Sequence, residues 1–106
     1  MVTFQNYVLG KWMNGDGVET QLFNAIDHSE IGTVSSAGID YEQVLDYGRR
    51  VGGRALRKMT FQERGRMLKA LALYLMERKA RYYEVSAWTG ATKVDSWIDI
   101  EGGIGN

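Results

Sequence analysis

The stretch from Thr60 to Gly90 constrains this chain more than any other. Thr60 followed three residues later by Glu63 is a capping-box pattern. The hydroxyl and the carboxylate would each satisfy a backbone N–H left orphaned at a helix start. Met67-Leu68-Lys69-Ala70-Leu71-Ala72-Leu73-Tyr74-Leu75-Met76 follows, dense in strong helix formers. Gly90 after Thr89 suits the residue that closes a helix. The pattern predicts one helix of about eight turns. On a helical wheel Phe61, Leu68, Leu71, Ala72, Leu75, Met76, Tyr82, Tyr83 and Val85 share an arc of roughly half the circumference, wider than the stripe of a surface helix. Leu73 and Trp88 fall outside it. Such a helix needs apolar cover on more than one side, and the chain has 106 residues from which to supply it.

That length suits one small domain. The apolar fraction of 44% and charged fraction of 25% are those of an ordinary soluble globular protein. No run of apolar residues is long enough to span a bilayer. The first residues carry neither the basic nor the apolar region of a signal peptide. There is no cysteine, which excludes disulfides, thiolate metal sites and a cysteine nucleophile within these residues and fits a cytoplasmic location. Formal net charge is zero but unevenly spread: −4 over residues 1–40, +6 over 41–90 and −2 over 91–106. A basic middle segment suits an anionic partner. The plainer reading is the charged outer faces of helices, and nucleic acid and membrane are not expected as partners.

The pattern reads as α+β, with short antiparallel strands over about 4–36, then two long helices and a third starting near 92. Residues 1–38 are β-rich and 40–106 helical. Gly10-Lys11 between Tyr7-Val8-Leu9 and Trp12-Met13 suggests a tight hairpin. Asn14-Gly15-Asp16-Gly17 is a second turn. Val18 to Phe23 alternates as a strand, Asn24 to Glu30 is loop-like, and Ile31 to Val34 is a third strand. Ser35-Ser36-Ala37-Gly38 links to a helix opened by Asp40 with Gln43. Gly48 and Gly52 lie on the apolar stripe of that helix. They cost about 1 kcal/mol each relative to alanine, which hints at close packing there. Thr92 with Asp95 starts the last helix, and Glu101-Gly102-Gly103-Ile104-Gly105-Asn106 ends the chain.

Candidate chemistry is sparse. His28, beside Asp27 and Glu30, is the only histidine; a base or ligand there lacks a positioned partner, so a loop histidine is the plainer reading. Asp95, Asp99 and Glu101 could line one edge of the last helix as paired carboxylates, but no accompanying ligand set is visible. Gly102-Gly103-Ile104-Gly105 does not fit a phosphate-binding glycine pattern and follows a helix rather than a strand. Tyr82, Tyr83, Trp88 and Trp97, interleaved with Arg78, Lys79 and Arg81, could stack on bases, though aromatic residues at such positions more often pack inside. The Met67–Met76 arc suits burial in protein better than a membrane surface. Spacing alone therefore assigns no catalytic, cofactor or metal residue.

The order of elements resembles the aldehyde dehydrogenase family. Asn6-Tyr7-Val8-Leu9-Gly10-Lys11-Trp12 looks like the family's opening strand, glycine turn and tryptophan. Phe23 to Val34 sits where the family has an N-P-x-T-G-E-x-I-x-x-V pattern, with Ala25 in place of the proline and Ser29 in place of the glycine. Thr60-Phe61-Gln62-Glu63-Arg64 to Leu75 is similar to its R…L…A…L helix. Trp88-Thr89-Gly90 resembles its E-T-G ending, with Trp88 replacing the acid. A narrower resemblance, to the dehydrogenase portions of bifunctional ring-opening proteins of phenylacetate degradation, rests on Tyr47 to Leu56, on Thr89-Gly90-Ala91-Thr92 and above all on Asp95 to Gly105.

The resemblance implies an oxidoreductase that oxidises an aldehyde, a CoA-linked semialdehyde in the narrower subgroup, with NAD(P) and a cysteine thiolate. It places those functional parts beyond residue 106, so no site residue carries over. The expectation is an N-terminal scaffold segment, inactive alone. Its partners would be the remainder of the dehydrogenase, or other copies of itself through exposed apolar helix faces. The alternative is a stand-alone, self-associating helical module.

Overall fold

The computed structural model describes residues 2–106. It is α+β: five short strands in two small sheets, then a series of helices. Two compact units form. One comprises residues 2–23 and Ser29–Met59, the other Asn24–His28 and Thr60–Asn106.

In the first unit the strands are β1 (Val2–Phe4), β2 (Asn6–Val8), β3 (Lys11–Met13), β4 (Thr20–Phe23) and β5 (Glu30–Val34). β2 and β3 form the expected hairpin, but its turn is Leu9-Gly10, one residue earlier than the Gly-X pattern suggests. Both turn residues have positive φ, 54° and 76°, the conformation whose twist matches the flanking strands. Tyr7 and Trp12 face each other across the hairpin as an edge-to-face pair with ring centroids 5.0 Å apart. The other sheet has the order β1-β5-β4. Here the all-antiparallel expectation needs correction, because β1 runs parallel to β5 while β4 is antiparallel to it. Strand direction in such a pair depends on how the intervening chain crosses over, which local patterning does not encode. Gly32 permits the approach: a Cβ there would lie within 1.9 Å of the Val2 carbonyl oxygen. Asn6 donates through Nδ2 to the Ser35 carbonyl at 2.7 Å, tying the hairpin to the linker before the helices.

Asp40 caps α1 (Tyr41–Tyr47) by accepting from the Gln43 N–H at 3.1 Å. The helix then widens into a π-helical stretch, Gly48–Gly53, before the short α2 (Arg54–Arg57). The close packing suggested by Gly48 and Gly52 is not found among the described residues. A Cβ at either position would meet nothing within 4 Å.

The second unit holds α3 (Phe61–Met76), α4 (Lys79–Trp88) and α5 (Lys93–Gly105). The single long helix read from Thr60 to Gly90 is therefore two. Its start is as predicted: Thr60 Oγ1 accepts from the Glu63 N–H at 3.1 Å, and Glu63 Oε2 accepts from the Thr60 N–H at 2.8 Å. Its end is as predicted too, with Gly90 at φ 84° after α4. Arg78 breaks it in between, at φ −109°, ψ 8°. An unbroken helix would join the Arg78 N–H to the Tyr74 carbonyl. Instead that N–H goes to Leu75 at 3.0 Å, and the Arg78 guanidinium donates to the Tyr74 carbonyl at 2.9 Å. The same guanidinium stacks on the Tyr74 ring, 3.4 Å from its centroid. The side chain thus does the work of the missing backbone donor and closes α3.

Thr92 caps α5 as predicted, accepting from the Asp95 N–H at 3.2 Å. Ala25 N–H donates to the Trp88 carbonyl at 2.8 Å, which anchors the Asn24–His28 turn to the end of α4. Among the described residues no hydrophobic side chain is fully buried.

Candidate functional site

A polar cluster lies between α4 and α5. Lys79 and Tyr83 are four residues apart and so share a face of α4. Glu101 reaches both from α5. Its Oε1 lies 2.9 Å from Lys79 Nζ, and its Oε2 accepts from the Tyr83 hydroxyl at 2.5 Å. The Glu101 side chain is only 18% exposed, whereas that of Lys79 is half in solvent. Farther along the pair, the Ser86 and Ser96 hydroxyls are 2.8 Å apart, and Ser96 is the one fully buried polar side chain among the described residues. Contacts advance along α4 as they retreat along α5, so the helices pack antiparallel.

Electrostatics follow from these bonds. The Tyr83 hydrogen bond and the Lys79 ammonium hold the Glu101 carboxyl below its ordinary range. Donation to Glu101, with partial burial and the negative charge, pushes the Tyr83 phenol up to about 12. A carboxylate with both oxygens engaged is no free base, and a phenol at that value is a poor acid at neutral pH. The cluster fastens two helices.

The other candidates disperse. Glu101 does not join Asp95 and Asp99 in a carboxylate edge, because it turns to α4. Asp95 and Asp99 are exposed, and the Asp95 N–H serves the Thr92 cap. Gly102-Gly103-Ile104-Gly105 is helical, not a phosphate-cradling loop. His28 stands at φ 61° with its N–H donating to the Asn24 carbonyl at 2.8 Å. No three metal-binding side chains come together among the described residues. Three members of the basic and aromatic set are engaged within the unit: Arg78 with Tyr74, and Lys79 and Tyr83 with Glu101. Sequence reading missed the pairing of Glu101. The available signal was the Lys79/Tyr83 spacing, which presents an ammonium and a phenol together.

Apolar side chains also lie open on the helices. On α3, Phe61 is 80% exposed, Leu68 60% and Leu71 52%. An open groove of about 490 Å³ beside them is lined by Leu68, Leu71, Leu75 and Ile104. Val94, Trp97 and Ile98 are likewise exposed on α5. No helix among the described residues is long and apolar enough to cross a membrane.

No protein-family model matches the chain. It is 37% identical over 100 residues to 3,4-dehydroadipyl-CoA semialdehyde dehydrogenase of Aromatoleum evansii. That alignment covers 93% of this chain and 19% of the relative, so the chain spans about a fifth of the length of the protein it matches. The chain is therefore similar to part of a CoA-semialdehyde dehydrogenase, in agreement with the broader resemblance to aldehyde dehydrogenases.

Proposed function

We propose that this chain is a scaffold segment of an NAD(P)-dependent aldehyde dehydrogenase that oxidises a semialdehyde carried on coenzyme A. The carrying observation is the 37% identity over 100 residues to a dehydrogenase of that kind, of which the chain spans 19%. The absence of buried hydrophobic side chains among the described residues supports it. Fully burying a leucine-sized side chain stabilises a fold by about 1.5–3 kcal/mol, so faces as open as that of α3 leave much stabilisation to be supplied by further protein. The remainder of the dehydrogenase is the cover in this reading.

In the whole enzyme the aldehyde is oxidised to the acid while NAD(P) takes the hydride and water supplies the oxygen. These 106 residues hold no cysteine, and the reading assigns them support rather than chemistry. The enzyme acts in the cytoplasm, in the breakdown of aromatic compounds. The narrower motif resemblance favours phenylacetate degradation, whereas the relative is named for a dehydroadipyl thioester. Both point to an aldehyde on a coenzyme A carrier.

The test is to recover the native protein from its source cell, weigh it intact and assay it. A species several times heavier than 12.0 kDa that reduces NAD or NADP with a CoA-linked semialdehyde supports the proposal. The two candidate thioesters, compared by kcat/KM, then decide the acyl chain. A 12.0 kDa native species that binds NAD saturably at micromolar levels would sink it. The exposed leucines of α3 also favour a second reading, a self-associating module; that reading requires a native 12.0 kDa chain that dimerises without NAD binding.

A further inference from the structure

We propose that α5 is a strap latched onto α4 by Glu101, and that it comes away as a unit when that carboxylate loses its two partners. The proposal rests on the geometry within the helical unit and not on the dehydrogenase reading. Helices usually hold together through an apolar seam. Here Val94, Trp97 and Ile98 of α5 are 64%, 56% and 59% exposed, so the apolar contact that Val94 and Trp97 make beside Tyr83 of α4 stays open to solvent rather than forming a closed seam. The bonds that do join the two helices are polar: Lys79–Glu101, Tyr83–Glu101 and Ser86–Ser96. Two of the three end on one carboxylate, and charge-assisted bonds of that kind are the stronger sort.

The start of α4 explains why the carboxylate sits there. α4 has no side-chain cap and no acidic residue in its first turn, and its first residue is the cation Lys79. A helix start favours negative charge. Glu101 supplies it from α5, beside Lys79 and one turn from Tyr83. At the far side, α5 carries Ile104 and Gly105 along the groove lined by Leu68, Leu71 and Leu75 of α3. Release of the latch therefore takes Ile104 off a leucine face that is already partly open.

Amide hydrogen exchange on the full 106-residue chain tests this. In Glu101→Gln, which keeps the shape and removes the charge, α5 amides should exchange about tenfold faster, the scale of one charge-assisted bond. Tyr83→Phe should give a smaller acceleration confined to the same helix. α3 amides should be unchanged in both. Ile98→Ala, a truncation of an exposed apolar side chain on α5, should leave α5 protection as it was. Unchanged α5 exchange in Glu101→Gln overturns the proposal. So does a rise shared equally by α3 and α5, which would mean loss of the whole unit, or an Ile98→Ala effect as large as that of Glu101→Gln.

Discussion

Helices α3 and α5 lie in the same compact unit and begin the same way, with a threonine accepting from the N–H three residues on. They differ in what holds them afterwards. α3 is secured by bonds within its own sequence: the reciprocal Thr60–Glu63 box at one end and the Arg78 side chain on the Tyr74 carbonyl at the other. α5 is secured by another helix, through Ser96 and Glu101. The comparison teaches that a helix with every side chain at least partly exposed can be well specified locally, while its neighbour owes its place to contacts far away in sequence.

Breaking the contact at Ser96 should have the largest effect. Ser96→Leu forces a larger side chain into the buried position and strands the Ser86 hydroxyl, at a cost of about 3 kcal/mol. Urea titration should show the loss, and exchange should place it in α4 and α5 rather than in α3. The local device is expected to matter less. Thr60→Ala should cost about 1 kcal/mol, read as faster exchange in the first turn of α3 with α5 unaltered. If α5 loosened equally, the two helices would not be independently held. Arg78→Ala removes the guanidinium from the Tyr74 carbonyl and ring, for about 1 kcal/mol or somewhat less because the site is partly exposed. Fraying of the last turn of α3, seen by NMR chemical shifts, is the outcome that supports the capping role.

The smallest effect is with pH. Glu101 has a lowered value in the fold, so its contribution is present above the ordinary carboxylate range and is lost as pH falls through that lowered value. Tyr83 is raised, so its contribution is present below 10 and is lost as pH rises from 10 through about 12. α5 protection should thus weaken at both extremes while α3 shows neither loss from this source. In Tyr83→Phe both limbs should shrink in the α5 profile, because the variant removes the phenol and with it the main cause of the lowered Glu101 value.

Much of the architecture was legible. The three side-chain-capped helix starts, at Asp40, Thr60 and Thr92, were readable because a cap is a contact over three residues. The hairpin was readable to within one residue, since a glycine turn between short apolar runs is a local signal. The break at Glu77–Arg78 was not, because neither glycine nor proline marks it. An arginine that folds back four residues is chemically ordinary until its target carbonyl is seen. The polar cluster was half legible: Glu101 stood among the candidate carboxylates, but its partners lie 18 and 22 residues earlier.

The sequence by itself determined where the capped helices start, which faces are apolar and that no thiol chemistry resides in these residues. Those properties depend on neighbours within one turn or on composition alone. Only the tertiary structure decided that β1 runs parallel to β5, that Arg78 divides one helix into two, and that Glu101 belongs to α4 rather than to a row of surface acids. Each of those depends on groups brought together by the path of the chain or by the bend of a long side chain. Neither is written in the periodicity of the residues.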